Sequence, residues 1–82
     1  LIVEDSEADY YLLLREFRRA EIEITAERIT SLSALRSALE RSWDIVLSDY
    51  DLSGFDGRDV LATVKAARPD LPVIVTSGAI SE

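Results

Sequence analysis

The chain contains neither cysteine nor histidine, and each absence removes a class of chemistry. Without thiols there is no disulfide framework, no redox pair and no thiolate metal site. Without imidazole, any step that needs a histidine base, a histidine ligand or a phosphohistidine must take it from a partner. Basic residues are also scarce, 9 against 16 acidic ones, for a net charge of −7. That balance argues against direct nucleic-acid binding, which needs a basic face to meet the phosphate backbone. No apolar run approaches the length of a membrane span, and no signal-peptide pattern is present. Internal repeats and low-complexity tracts are missing as well. A cytoplasmic location is compatible with all of this.

What remains is the composition of one small globular domain, 82 residues with 48% hydrophobic and 30% charged. A chain of that size is short of material for a full core. It opens without methionine on Leu1-Ile2-Val3, already inside an apolar strand, and stops at Ser81-Glu82 soon after another. Both ends read as cuts, so the expectation for 1–82 is one domain, incomplete at its C-terminus.

Leu1-Ile2-Val3 suits a strand buried on both faces. Ser6-Glu7-Ala8-Asp9 then sets a hydroxyl three residues before a carboxylate, a variant of the capping box. The helix that follows runs to about Arg19-Ala20, with Tyr10, Leu13, Leu14 and Phe17 on one face and Arg15, Glu16, Arg18 and Arg19 on the wet one. Ile22 and Ile24 alternate, and a strand is expected near Ile24 to Thr30, at a sheet edge because charges interrupt it. Leu32, Leu35 and Leu39 mark a second helix over Leu32 to Arg41, with Ser31 as its cap.

Asp44-Ile45-Val46-Leu47-Ser48-Asp49 is the clearest buried strand. Tyr50 to Gly57 holds two of the three glycines and must turn sharply. Val60, Leu61 and Val64 mark a third helix that ends before Pro69. Val73-Ile74-Val75 is a fourth strand, closing on Thr76-Ser77-Gly78. Strand and helix alternate, which implies an α/β fold with a parallel sheet and right-handed crossovers. Three helices cannot cover both faces of four parallel strands, so part of one face is expected to be bare.

Sites in open parallel sheets lie at the carboxyl ends of the strands, where the winding reverses. Glu4-Asp5 follow the first strand, Asp49 ends the third, and Thr76-Ser77 end the fourth. With strand order 2-1-3-4 the first and third are neighbours, and Glu4, Asp5 and Asp49 converge on one crevice with Ser77 one strand away. Two full charges about 5 Å apart, at an effective dielectric near 20, repel by roughly 3 kcal/mol. Such a cluster must hold a proton or bind a cation. All-oxygen ligands favour a hard ion, and Mg²⁺ suits a few carboxylates with waters and a phosphate. Beside that ion a carboxylate can attack phosphorus to give an acyl phosphate.

Taken singly, each residue has a plainer reading. Asp5 or Ser6 serves as a helix cap, Asp49 as a turn former, and Ser77-Gly78 as a strand exit. Asp56 and Gly57 are read as turn and helix start, and Trp43 as a packing residue.

Taken together, Glu4-Asp5-Ser6, Asp44 through Leu52, Gly54-Phe55-Asp56-Gly57 and Pro72 through Gly78 resemble the receiver domain of bacterial response regulators and hybrid histidine kinases. They span the whole chain in that family's order and spacing. The resemblance implies a flavodoxin-like doubly wound sheet, with a fifth strand and the last helices beyond this sequence. It implies Asp49 as phosphoacceptor, Glu4 and Asp5 as the acidic pair that organises Mg²⁺, and Asp51 as a metal ligand through its backbone carbonyl. Ser77 matches the switch hydroxyl that senses the phosphoryl group. The implied partner is a histidine kinase or phosphotransfer protein, with a downstream output and room for a dimer. The implied activity is signalling, with at most slow self-dephosphorylation.

Two departures stand out. Ser53 occupies a place usually held by proline. The family's phosphate-facing lysine would fall beyond Glu82, and Lys65, mid-helix, cannot replace it. Two other readings stay open. Asp49-Tyr50-Asp51 is also the D-x-D of haloacid-dehalogenase-type phosphatases, although there the motif usually follows the first strand. A receiver-like binding module that is never phosphorylated is the other.

Overall fold

The computed structural model describes residues 1–76. Its chain runs β1 (Ile2–Val3), α1 (Glu7–Arg19), β2 (Arg28–Ile29), α2 (Leu32–Ala38), β3 (Val46–Asp49), β4 (Asp51–Leu52), β5 (Phe55–Asp56), α3 (Gly57–Ala67) and β6 (Val73–Thr76). Four strands form a parallel sheet in the order β2-β1-β3-β6. This is the expected 2-1-3-4 winding of a flavodoxin-like α/β fold. A two-residue antiparallel ladder, β4 with β5, is added in the loop after β3.

The core lies on one face of the sheet. Leu1, Val3, Ile29 and Val46 pack there with Leu35, Ala38 and Leu39 of the α2 segment and Val60 and Val64 of α3. Val3, Leu35, Val46, Val60 and Val64 are fully buried. Each contributes on the order of 1.5–3 kcal/mol relative to an exposed side chain. Leu61, expected on the apolar stripe of α3, instead turns to solvent. The opposite face is thinly covered: α1 has no fully buried residue, and Ile74 of β6 is 49% exposed. The bare patch foreseen from the helix count is therefore there.

Local chemistry explains each boundary. Ser6 caps α1, its Oγ accepting from Asp9 N–H at 3.2 Å. The return bond of the box comes from an unexpected quarter, because Ser6 N–H donates to Glu4 Oε2 at 3.1 Å. At the other end Ile22 N–H reaches Phe17 O and Glu21 N–H reaches Arg18 O. These are the two bonds of a Schellman motif, with Glu21 in the left-handed position at φ 60.

That motif corrects the second strand. Ile22 belongs to the end of α1, Ile24 is 43% exposed, and only Arg28–Ile29 of the expected Ile24–Thr30 pair with β1. The second helix is also shorter than the pattern implied. Ser31 caps it as expected, but Glu40 and Arg41 donate three residues back, to Ser37 and Ala38. Tightening of this kind ends the α-helical ladder at Ala38. Trp43 packs against the core and donates from Nε1 to the Ala38 carbonyl at 2.7 Å. The Arg41 guanidinium lies 5.0 Å from the centre of its ring.

Candidate functional site at the carboxyl edge of the sheet

β1 and β3 are adjacent and parallel, with Val3 registered on Ser48. One step further along both strands brings Glu4 level with Asp49. The backbone is tied at this point, since Glu4 N–H donates to Ile29 O at 3.1 Å and Tyr50 N–H donates to Thr76 O at 2.7 Å. Glu4, Asp5 and Asp49 each offer a carboxylate oxygen, and these oxygens all lie within 4.8 Å of one another. All three residues are partly buried.

The two members of the acidic pair are tuned in opposite directions. Burial lifts the Glu4 carboxyl above the ordinary glutamate range. The Ser6 N–H opposes that lift, and the charges of Asp49, Asp9 and Asp5 add to it. Asp5 is held below the ordinary aspartate range, first by the Ser53 hydroxyl, against a smaller desolvation effect, and further by the Ser53 N–H. Ser53 N–H and Oγ both donate to Asp5 Oδ2, at 2.9 Å and 2.8 Å. Falling pH should therefore protonate Glu4 before Asp5.

The site is also held from β2. Arg28 donates from Nε to the Glu4 carbonyl and from Nη2 to the Asp5 carbonyl, each at 3.0 Å. Arg28 did not stand out in the sequence, and Ser53 did so only as a departure at a place usually held by proline. Arg28 read as one of the charges that interrupt an edge strand, and Ser53 as a looser substitute for proline. The one available signal for Ser53 was that it restores a backbone donor that proline lacks.

The remaining candidates divide. Asp51 is exposed at the start of β4, registered on Asp56. Its carboxylate is not part of the cluster of the other three. Ser77, the expected switch hydroxyl, lies outside the described residues. Thr76, one place earlier, is registered on Asp49, and its Oγ1 lies 3.4 Å from the Ser48 carbonyl. Asp56 caps α3 in a full capping box with Asp59. Gly57 opens that helix against β3 and β6. A Cβ there would lie 2.6 Å from Val75 Cγ1 and 3.2 Å from Tyr50 Cα. The two plain roles assigned to Asp56 and Gly57, turn and helix start, are those seen.

Three clustered carboxylates with no nitrogen or sulfur donor fit a hard, oxygen-seeking cation. A cation between them would offset the repulsion among their charges.

Comparison with known proteins gives a family match and a curated relative. The family model described as "Response regulator receiver domain" matches residues 1–82. A protein-glutamate methylesterase/protein-glutamine glutaminase 2 of Caulobacter vibrioides is 32% identical over 77 residues, 94% of this chain. The chain spans 22% of that relative's length.

Proposed function

The chain belongs to the response regulator receiver family, a module of two-component signalling, and on that premise we propose that Asp49 is its phosphoacceptor. The observation that carries this reading is the convergence of Glu4, Asp5 and Asp49 within 4.8 Å at the edge where β1 and β3 meet. In this reading Asp5 and Asp49 hold Mg²⁺ directly, Glu4 shapes the site, and the Asp51 carbonyl adds a further ligand. The ion, when bound, offsets the negative charge of the carboxylates and of the incoming phosphoryl oxygens.

An Asp49 carboxylate oxygen attacks phosphorus. A P–O bond forms as the P–N bond of a partner's phosphohistidine breaks, and the imidazole leaves with the electron pair. In this reading the donor is a histidine kinase or phosphotransfer protein, and its phosphohistidine lies outside these 82 residues, which contain no histidine. The Ser77 hydroxyl, one residue past β6, is assigned the bond to the phosphoryl oxygens that biases a two-state surface toward an output. This is a switch rather than a turnover cycle, and a cytoplasmic setting accords with it. No described helix is long and apolar enough to cross a membrane.

The test is Mg²⁺-dependent labelling of the intact protein by a small phosphodonor. Wild type should be labelled and Asp49→Asn should not. Labelling that persists in Asp49→Asn overturns the assignment.

A further inference from the structure

Proline at position 53 would offer no N–H. Serine offers two donors, and both go to one oxygen of one side chain. Ser53 N–H lies 2.9 Å and Ser53 Oγ 2.8 Å from Asp5 Oδ2. Ser53 sits in the turn between β4 and β5, and Asp5 follows β1, so the pair spans 48 residues. It joins two loops that are otherwise anchored to different strands. Gly54, the next residue, adopts a left-handed φ of 87 with open space around it. The turn is therefore shaped by its own backbone, and the Ser53 side chain is free to serve Asp5.

A carboxylate has roughly four lone-pair sites on its two oxygens. Two donors on Oδ2 fix the plane of the group and leave the capacity of the other oxygen for a cation. A ligating carboxylate that is already oriented loses less rotamer freedom on binding. The same bonds hold the turn carrying the Asp51 carbonyl against the carboxylate of Asp5.

We propose that Ser53 is a positioning residue for the cation site: its two hydrogen bonds lock Asp5 and the β4–β5 turn into one unit that receives the divalent ion. The proposal rests on the reading of Glu4, Asp5 and Asp49 as a cation site, and deepens it by adding a residue that touches no ligand itself. Outer partners of this kind change metal affinity by about 10–100-fold. The Ser53 bonds are solvent-exposed, which places the effect near the lower end of that range.

The experiment is calorimetric titration of the intact protein with Mg²⁺, for wild type and for Ser53→Ala, Ser53→Thr and Ser53→Pro. Melting temperatures are recorded alongside. Ser53→Ala keeps the N–H and should weaken Mg²⁺ by about threefold. Ser53→Pro loses both donors and should weaken it by about tenfold. Ser53→Thr keeps both and should match wild type at an unchanged melting temperature.

Wild-type affinity in Ser53→Ala and Ser53→Pro overturns the role of Ser53 and leaves the cation site standing. Equal losses in Ser53→Ala and Ser53→Thr also overturn it, since the hydroxyl would then not be the cause. A wild-type protein that binds no Mg²⁺ removes the cation reading itself, and the proposal with it. Should Ser53→Ala fail to fold, Ser53→Pro carries the residue usual in the family and decides the matter alone.

Discussion

Arg28 grips Asp5 from behind. Its Nη2 donates to the Asp5 carbonyl at 3.0 Å while its Nε donates to the carbonyl just before it, that of Glu4. The guanidinium thus spans two consecutive peptide units at the carboxyl end of β1, where regular pairing with β2 has stopped.

Loss of that grip should cost stability. Hydrogen bonds from a charged donor each contribute about 1.5–3 kcal/mol. Part-burial of this pair and incomplete loss on substitution set the expectation for Arg28→Ala at roughly 2 kcal/mol. Arg28→Lys keeps the charge but cannot present a planar fork to two carbonyls, so it should recover less than half. Urea denaturation midpoints check both. A neutral Arg28→Ala would mean that water replaces the guanidinium without loss.

A second expectation concerns the end of α1. Glu21 occupies the left-handed C′ position at φ 60, where an L side chain is strained and glycine is not. Glu21→Gly should stabilise the protein by about 1 kcal/mol. Thermal melting is the measure. A destabilised variant would show that the Glu21 side chain contributes more than its backbone strain costs.

The third concerns acid. The Asp56 carboxyl is held below the ordinary aspartate range. The Asp59 N–H lowers it most, a small desolvation effect opposes, and the Arg58 guanidinium and N–H lower it further. A depressed folded-state value means that the contribution is fully present above the unfolded aspartate value and fades as pH falls through the depressed one. The amino end of α3 should therefore loosen in the acid window below the usual aspartate range. Asp56→Asn keeps the capping oxygen without the titration. Amide exchange of the first turn of α3 should then lose its acid dependence in that window, and an unaltered profile would dismiss the cap as its source.

The parallel strands and the acidic edge were legible in the sequence because both rest on short-range patterns, whereas the 2-1-3-4 order came with the family resemblance. Apolar runs such as Leu1-Ile2-Val3 and Ile45-Val46-Leu47 end in acidic residues, and alternation with helices dictates a parallel sheet. Elements whose limits depend on particular hydrogen bonds were not legible. The alternation of Ile22 and Ile24 has the period of a strand, yet Ile22 is taken by the Schellman turn of α1. The stripe of Leu32, Leu35 and Leu39 does not reveal that the turn after Ala38 tightens.

The residues that brace the site were hidden for a related reason. Arg28 and Ser53 act on partners far away in sequence, Arg28 wholly through backbone carbonyls and Ser53 partly through its own N–H. A carbonyl or an N–H is present at almost every position, so no residue type announces the pairing. Only the fold states which of them are used.

The pairing of β1 with β3 has a kinetic side. The residues registered there, Ile2 and Leu47, are separated along the chain by α1, β2 and α2. Closing so long a loop is entropically unfavourable and comes late, after local helices can form. Any species in which that closure has not occurred keeps Asp49 apart from Glu4 and Asp5. A cation held by both Asp5 and Asp49 would bind the finished domain alone, raising its stability with ion concentration while leaving earlier species untouched. The ion would then act as a late checkpoint on folding, retaining chains that have completed the sheet.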